Sequence, residues 1–165
     1  MKKVYVSWND IQRQVQEICR QMWLDRWSPD YVVGITRGGL TPANLISQYL
    51  DVPMHALKVS LRDGNEDCES NLWMQEDAAG LKNILIVDDI NDSGATFNWI
   101  RKDWDIAERW GNNVRVAVLY DNESSNSIHT PDYSAENINK ASDPQWIVFP
   151  WEEWWRRWNP EEQHQ

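Results

Sequence analysis

Short apolar runs alternate along this chain with segments whose apolar residues recur every three or four positions. The runs span residues 31–35, 55–59, 84–87, 114–119 and 146–149, and a shorter candidate lies at residues 3–6. Most are rich in Val and Ile and bounded by polar turns, which is typical of strands buried on both faces of a parallel sheet.

The segments between these runs predict helices. Ser7 is a suitable N-cap with Asp10 three positions later. Four apolar residues then recur at helical spacing and predict a helix to about residue 23: Ile11, Val15, Ile18 and Met22. Residues 40–50 and 97–110 are compatible with two further helices. Strands that alternate with helices form right-handed βαβ units, so we expect an α/β fold with a mostly parallel central sheet flanked by helices.

Two long polar segments interrupt this alternation, at residues 61–80 and 121–143. Both lack clear periodicity and are predicted to be irregular. The first is also acidic, and a stretch of this length in a compact domain is often a mobile functional loop.

Composition narrows the class of protein. The 165 residues are 41% hydrophobic with a formal net charge of -10, which predicts one domain over residues 1–158, a frayed tail at 159–165, and no nucleic-acid or anionic-lipid partner. No apolar run reaches the roughly 18 residues of a membrane span, and the N-terminal segment lacks a signal-peptide core. Cys19 and Cys68 show no CxxC spacing, so we expect free thiols in a reducing cytoplasm.

The most informative segment is ILIVDDINDSGATF, residues 84–97. Its apolar run leads into Asp88 and Asp89, and Asp92 then opens a turn of Ser93-Gly94-Ala95-Thr96. A helix-compatible stretch follows, so the turn would place free amides and the positive end of a helix dipole beside a phosphate. Acids next to such a site suit ribose hydroxyls or Mg²⁺.

A second turn, Thr36-Arg37-Gly38-Gly39, follows the run at residues 31–35. Its glycines let the backbone approach an anion closely, and Arg37 adds a cation. Alone, this turn is compatible with an ordinary strand-to-helix connection. The Asp88-Asp89 pair alone is likewise compatible with a solvated turn or the acid cluster of a receiver-like phosphorylation domain. Both turns follow strands of the predicted sheet, so we expect them at its ligand-binding edge.

The ordered run from the strand through Asp88-Asp89, Asp92 and Ser93-Gly94-Ala95-Thr96 closely resembles the phosphoribosyl-pyrophosphate (PRPP) signature of type I phosphoribosyltransferases. The resemblance covers most of residues 4–151. Within the family, the chain is most similar to the bacterial xanthine-guanine and hypoxanthine enzymes. It implies the type I fold with a small C-terminal hood. It also implies transfer of the 5-phosphoribosyl group to a purine base in nucleotide salvage, with Mg²⁺ as cofactor, by a cytoplasmic homodimer or homotetramer.

The resemblance also implies residue roles. Arg37, Gly38 and Gly39 would bind pyrophosphate, and residues 93–96 would bind the 5′-phosphate. Asp88 and Asp89 resemble the acids that contact ribose and the metal, and Asp92 resembles the residue that accepts the proton at purine N7. The segment at residues 61–80 would close over the site and exclude water.

The acceptor base rests on different residues. Trp146 and Ile147 resemble the pair in which an aromatic ring stacks on the purine and the next backbone reads its edge, although Trp146 is also compatible with a core position. The family usually places a lysine for purine O6 where this chain reads Tyr120-Asp121-Asn122, and an acid there would repel O6. Either Lys140 substitutes, or the substrate is not an ordinary 6-oxopurine. The simpler interpretation of Lys140 is a solvated surface lysine.

Tryptophan is unusually abundant, with 12 residues in the chain. Four of them recur on one face of a predicted C-terminal helix: Trp151, Trp154, Trp155 and Trp158. Pairs at i, i+4, Glu152–Arg156 and Glu153–Arg157, would support that helix. We expect it to pack on its own domain or on a second subunit, because a membrane-surface helix would carry a net positive charge.

Two other classes of protein share parts of this pattern. A PRPP- or nucleotide-sensing regulator could use the same fold without turnover, but it would not need Asp92. A receiver domain would leave the Ser-Gly-Ala-Thr turn unexplained. The sequence therefore favours a Mg²⁺-dependent purine phosphoribosyltransferase.

Overall fold

A computed structural model describes residues 1–61, 65–105 and 112–157. Strands and helices follow one another along the chain in this order: β1 (Lys2–Tyr5), α1 (Trp8–Leu24), β2 (Tyr31–Thr36), α2 (Leu40–Leu50), β3 (Met54–Ser60), β4 (Asp67–Cys68), α3 (Leu72–Ala79), β5 (Ile84–Asn91), α4 (Ala95–Asp103), β6 (Val114–Asn122), β7 (Tyr133–Ile138), β8 (Gln145–Val148) and a short 3-10 helix (Trp154–Arg157).

The central sheet has the strand order β4-β3-β2-β5-β6-β7 and is parallel except at β4, which pairs antiparallel with β3. This confirms the predicted α/β fold with a mostly parallel sheet. Strands β2 and β5 are neighbours at its centre, with Gly34 opposite Val87. Their carboxyl ends, which carry the two predicted phosphate-binding turns, therefore lie side by side.

Helices cover both faces of the sheet, as the apolar runs predicted. In β5, Leu85 and Val87 pack in the cluster that contains the apolar face of α1, whereas Ile84 and Ile86 pack with Phe97 of α4. These four strand residues are fully buried, and each such side chain contributes about 1.5–3 kcal/mol to stability. The signature strand is therefore held firmly from both sides.

Helix α1 begins as predicted. The Asp10 amide donates to Ser7 Oγ (3.1 Å), and the Ser7 amide donates to Asp10 Oδ2 (2.9 Å), which completes a capping box. The four apolar residues at helical spacing are all buried. Both cysteines are free, with Cys19 buried in α1. No helix within the described ranges is both long enough and apolar enough to cross a membrane.

The prediction of irregular structure at residues 61–80 was wrong for the half of this segment that forms β4 and α3. Strand β4 pairs with the end of β3, and α3 forms behind Asn71, whose side chain accepts from the Met74 amide (3.1 Å). Only Met74 and Ala78 of this short helix are buried, while Leu72 is exposed. The apolar pattern is therefore too weak to reveal it. Residues 62–64 lie outside the described part of the chain, so the predicted closure over the site stays a prediction.

Two strands also differ from expectation. Strand β7 lies in the segment predicted to be irregular. The sequence did not reveal it because this edge strand buries Tyr133 and is otherwise largely polar. Strand β8 does not extend the central sheet but pairs in parallel with β1 in a separate two-stranded sheet, with Ile147 opposite Val4. This small sheet forms the hood. Helix α4 is described from Ala95 to Asp103, so the predicted end of this helix lies outside the described residues.

The predicted C-terminal amphipathic helix was also wrong within the described residues, which end at 157. Trp151 stacks on Phe149 with ring centroids 4.9 Å apart. Trp154 and Trp155 belong to a 3-10 helix and are more than half exposed, so the tryptophans do not share one buried face. Of the predicted pairs, Arg156 contacts Glu153 instead of Glu152 (3.6 Å), since Glu152 turns back to accept from the Phe149 amide (3.0 Å). Trp158 and the predicted frayed tail lie outside the described residues.

Candidate active site

The carboxyl ends of β2, β3 and β5 open into a cavity of about 930 Å³. Its lining includes nearly every residue that the sequence marked as functional: Arg37, Gly38, Asp88, Asp89, Asp92, Ser93, Gly94, Ala95, Thr96, Lys140, Trp146 and Ile147. Gly39 is the exception and lies behind this surface. Segments far apart in the sequence therefore meet in one place, as expected at the edge of a parallel sheet.

Other groups closely approach both glycines of the turn after β2. The Thr36–Arg37 peptide bond is cis, and the Gly39 amide donates to the Ile35 carbonyl (2.8 Å). A Cβ on Gly38 would overlap the Asp89 carboxylate, whereas a Cβ on Gly39 would overlap the backbone carbonyl of Val87. Gly38 thus adjoins an acid of the site, and Gly39 lets the turn pack against β5.

The acid pair at the end of β5 is largely enclosed. The Asp89 amide donates to Asp88 Oδ1 (2.9 Å), and the Ile90 amide donates to Asp89 Oδ1 (2.8 Å). Burial raises the pKa of the Asp89 carboxyl above its usual range, and the nearby Glu152 carboxylate adds to the rise. A bound cation would stabilise the charged form of an enclosed carboxyl that lies beside other acids.

This donor set fits Mg²⁺ shared with a substrate. No group of three or more Asp, Glu, His or Cys side chains within the described ranges is placed to enclose a metal ion. Mg²⁺ does not require such a group, because it is commonly held by one or two carboxylates together with water and substrate phosphates. Asp88 and Asp89 are the carboxylates that would hold such an ion, and both line the cavity beside the two turns.

The turn after Asp92 leads directly into α4. Gly94 is its N-cap with φ of 86°, a left-handed conformation that favours glycine. A Cβ there would also overlap the backbone of Ser127. The Asn126 amide donates to the Ser93 carbonyl (3.0 Å), so a second loop supports the turn from outside. The first amides of α4 have no helical acceptors, an arrangement that favours a bound anion.

Lys140 is not a solvated surface lysine. Its side chain is only 17% exposed, and Nζ lies 2.8 Å from Asp92 Oδ1. The same Nζ lies 5.8 Å from the centre of the Trp146 ring. Lys140 therefore connects the acid that opens the phosphate turn with the aromatic side of the cavity.

The acid after Tyr120, Asp121, was expected to repel purine O6, but it makes a hydrogen bond inside the protein instead. Asp121 is buried and accepts from Asn91 Nδ2 (2.8 Å), so its charge is directed into a hydrogen bond beside the sheet. Its neighbour Asn122 donates through Nδ2 to the Asp92 carbonyl (2.9 Å) and accepts through Oδ1 from the Lys140 amide (3.0 Å). The position where the family places a lysine thus supports the backbone of both Asp92 and Lys140.

The hood supplies an aromatic surface. Trp146 is 52% exposed and lines the cavity, so it is not a core residue. Ile147 is buried and follows it on β8, where pairing with β1 fixes the backbone. An exposed indole face beside polar groups suits a flat heterocycle.

Sequence reasoning missed three charged residues of the cavity: Lys58, Asp67 and Glu152. Lys58 stands near the carboxyl end of a parallel strand, which was the available signal for a ligand-binding position. Asp67 belongs to a strand that the sequence did not reveal. Glu152 was assigned to an ion pair in the tail, because its return toward the Phe149 amide depends on a turn without a clear sequence pattern.

Comparison with known proteins agrees with this geometry. Residues 5–156 match the model of the phosphoribosyl transferase domain. The xanthine-guanine phosphoribosyltransferase of Cereibacter sphaeroides is 31% identical over 92% of this chain and 87% of its own. The crystal structure of a purine phosphoribosyltransferase from Pyrococcus horikoshii superimposes with a TM-score of 0.69 and 27% identity, over 93% of this chain and 96% of that one.

A third relative shares the fold at lower identity. The xanthine-guanine-hypoxanthine phosphoribosyltransferase of Helicobacter pylori has a TM-score of 0.72 at 19% identity, over 94% of this chain and 97% of its own. Fold, cavity and sequence likeness thus lead to one assignment. The chain belongs to the phosphoribosyl transferase family.

Proposed function

We propose that this protein transfers the 5-phosphoribosyl group from PRPP to a 6-oxopurine base and releases pyrophosphate. One observation carries the proposal: a single cavity joins the two turns predicted to bind phosphate, an acid pair and an exposed indole face. The names of the relatives describe phosphoribosyltransferases for xanthine, guanine or other purines. These names support a purine acceptor.

The sugar donor would lie across the ends of β2 and β5. The α4 amides and the Ser93 and Thr96 hydroxyls would bind the 5′-phosphate, while Arg37 and the Gly38 backbone would bind the pyrophosphate. Asp88 and Asp89 would contact the ribose hydroxyls and hold Mg²⁺. The metal would neutralise negative charge on the pyrophosphate as it leaves.

The base would lie against Trp146, with the Ile147 backbone at its pyrimidine edge. N7 and O6 of a 6-oxopurine are neighbours on one edge of the ring. Asp92 and Lys140 offer a proton acceptor and a donor 2.8 Å apart, which matches a protonated N7 beside O6. Lys140 would thereby replace the lysine that is absent after Tyr120, and Asp92 would take the N7 proton as N9 attacks C1 of the ribose.

A panel assay tests this function. Purified protein with Mg²⁺ and PRPP is mixed with guanine, xanthine, hypoxanthine, adenine or uracil, and pyrophosphate release is followed. We expect turnover with one or more 6-oxopurines and little with adenine, whose 6-amino group would oppose Lys140. Absence of release with every base would contradict the proposal. PRPP binding without turnover would instead support the sensing regulator.

The role of Asp92 has its own test. D92N keeps the shape of the side chain but removes the proton acceptor, so kcat should fall by about 10²–10⁴-fold. D51N is a matched control, because Asp51 is an exposed left-handed C-cap of α2 that asparagine tolerates. An unimpaired D92N enzyme would show that Asp92 does not accept the proton.

We also propose that the protein forms a homodimer or homotetramer. The exposed Trp154 and Trp155, with exposed fractions of 58% and 57%, are candidates for burial in such an interface. Light scattering coupled to size-exclusion chromatography would give the oligomeric state, and a monomer at assay concentration would contradict this proposal.

A further inference from the structure

Lys58 lies beside the turn Thr36-Arg37-Gly38-Gly39, which is proposed to bind pyrophosphate, although no sequence motif marks this lysine. It stands on β3 directly opposite Thr36 of β2 in the parallel register. Its side chain is 53% exposed and lines the cavity together with Arg37 and Gly38. A lysine ammonium on a flexible stem at this place can reach an anion bound by the turn.

In the structure, the Lys58 ammonium contacts Asp67. Lys58 Nζ lies 2.5 Å from Asp67 Oδ2, and the Asp67 side chain is 67% exposed. The β3–β4 pairing holds the two residues near each other, with Ser60 opposite Asp67. Ion pairs between exposed groups are weak because water and salt screen them. The ammonium can therefore leave Asp67 for a stronger anion at little cost.

The charge distribution of the cavity creates a need for such a cation. Its acidic lining residues, Asp67, Asp88, Asp89, Asp92 and Glu152, outnumber its basic ones, Arg37, Lys58 and Lys140. Lys140 is engaged with Asp92 on the opposite side of the cavity. On the pyrophosphate side, Arg37 and Lys58 are therefore the two lining cations that the described part of the chain offers to a diphosphate.

We propose that Lys58 is a pyrophosphate ligand and that Asp67 holds its ammonium in position until the substrate arrives. The inference rests on the proposed function, since it concerns the diphosphate of that substrate. When Mg²⁺-pyrophosphate or PRPP binds, Nζ moves from Asp67 to a diphosphate oxygen. Asp67 thus acts as a resident competitor for the cation, which limits how tightly the leaving group is retained.

Binding of Mg²⁺-pyrophosphate, measured by isothermal titration calorimetry, tests this directly. Loss of one charge-assisted hydrogen bond should weaken binding by K58M about 10- to 100-fold, and K58R should restore most of it. D67N should bind several-fold more tightly, because the competitor for the ammonium is gone. K82M is the matched control, since the Lys82 side chain is about as exposed as that of Lys58 and forms an ion pair with Asp77 (3.1 Å) outside the cavity lining.

Steady-state kinetics separates this proposal from the function on which it rests. K58M should raise the KM for PRPP and leave the KM for the purine within about twofold, because the base lies on the opposite side of the cavity. If the wild-type protein turns over and K58M binds Mg²⁺-pyrophosphate as tightly as K82M, the role of Lys58 is refuted. If D67N binds no more tightly than the wild type, the competitor role of Asp67 is refuted. Failure of the wild type to turn over any base refutes the proposed function, and the calorimetry then still decides whether Lys58 binds the diphosphate.

Discussion

Gly38 and Gly39 are adjacent, yet alanine should have different consequences at the two positions, one for the site and one for the fold. The three atoms nearest to a Cβ on Gly38 all belong to the Asp89 carboxylate, a side-chain group that can shift more easily than backbone. A Cβ on Gly39 meets the Val87 carbonyl and the Ile35 backbone, both in central strands of the sheet. G38A should therefore impair the site while the fold remains stable, whereas G39A should impair the fold.

Both effects can be estimated. For G39A, overpacking against strand backbone costs about 1–3 kcal/mol, which corresponds to a fall in Tm of about 2–12 °C for a domain of this size. For G38A, moving the Asp89 carboxylate would remove its proposed contact to the ribose or the metal. Loss of a charge-assisted interaction worth about 1.5–3 kcal/mol lowers kcat/KM for PRPP by about 10- to 150-fold, while Tm should stay within about 3 °C.

The assays are thermal unfolding by circular dichroism and pyrophosphate release with PRPP varied. G80A is the control, because Gly80 has a negative φ and the nearest atom to an added Cβ is the Glu76 carbonyl at 3.3 Å. Two results would refute the reasoning: a fall in Tm of equal size for G38A and G39A, or a G38A protein with unchanged kinetics for PRPP.

Two further predictions concern the base side and the core. K140A should lower kcat/KM for the preferred 6-oxopurine by about 10- to 100-fold through loss of a charged donor to O6, with K82A as control, and unchanged purine kinetics would remove Lys140 from the base site. Burial raises the pKa of the Cys19 thiol to about 11 and that of the Tyr133 hydroxyl to about 12. The unfolded chain therefore ionises first, so the stability contributed by these groups should be constant below about pH 8 and fall as the pH rises through about 9 to 11. Urea unfolding at a series of pH values measures this, and a flat free energy of unfolding up to about pH 11 would contradict it.

The central sheet and the half of the cavity proposed to bind PRPP could be predicted because local sequence determines them. The apolar run of β5 requires burial on both faces, and the following acids and small residues necessarily occupy its carboxyl end. Helix α3 and strand β7 escaped prediction because each buries few apolar side chains, so tertiary pairing rather than a strong local pattern maintains them.

The base half was harder to predict for a different reason. Lys140 reaches Asp92 through a loop whose backbone is held by Asn122, and this contact joins residues far apart in the sequence. Lys58 gained its significance only when β3 was placed next to β2. Charged residues on neighbouring strands look like ordinary surface residues until the strand order is known.

The pairing of β1 with β8 has a consequence for how the protein acquires its activity during synthesis. The strands that carry the two turns predicted to bind phosphate, β2 and β5, emerge from the ribosome before β8, and each can pair in the sheet with the strand that follows it, β3 or β6. The strand that presents Trp146 emerges later and must find β1, which precedes the other described strands in the chain. With the substrates placed as proposed, a nascent chain would therefore form the pocket for the activated sugar before it could hold an acceptor base. Recognition of the base thus depends on the meeting of the two most widely separated strands of the fold.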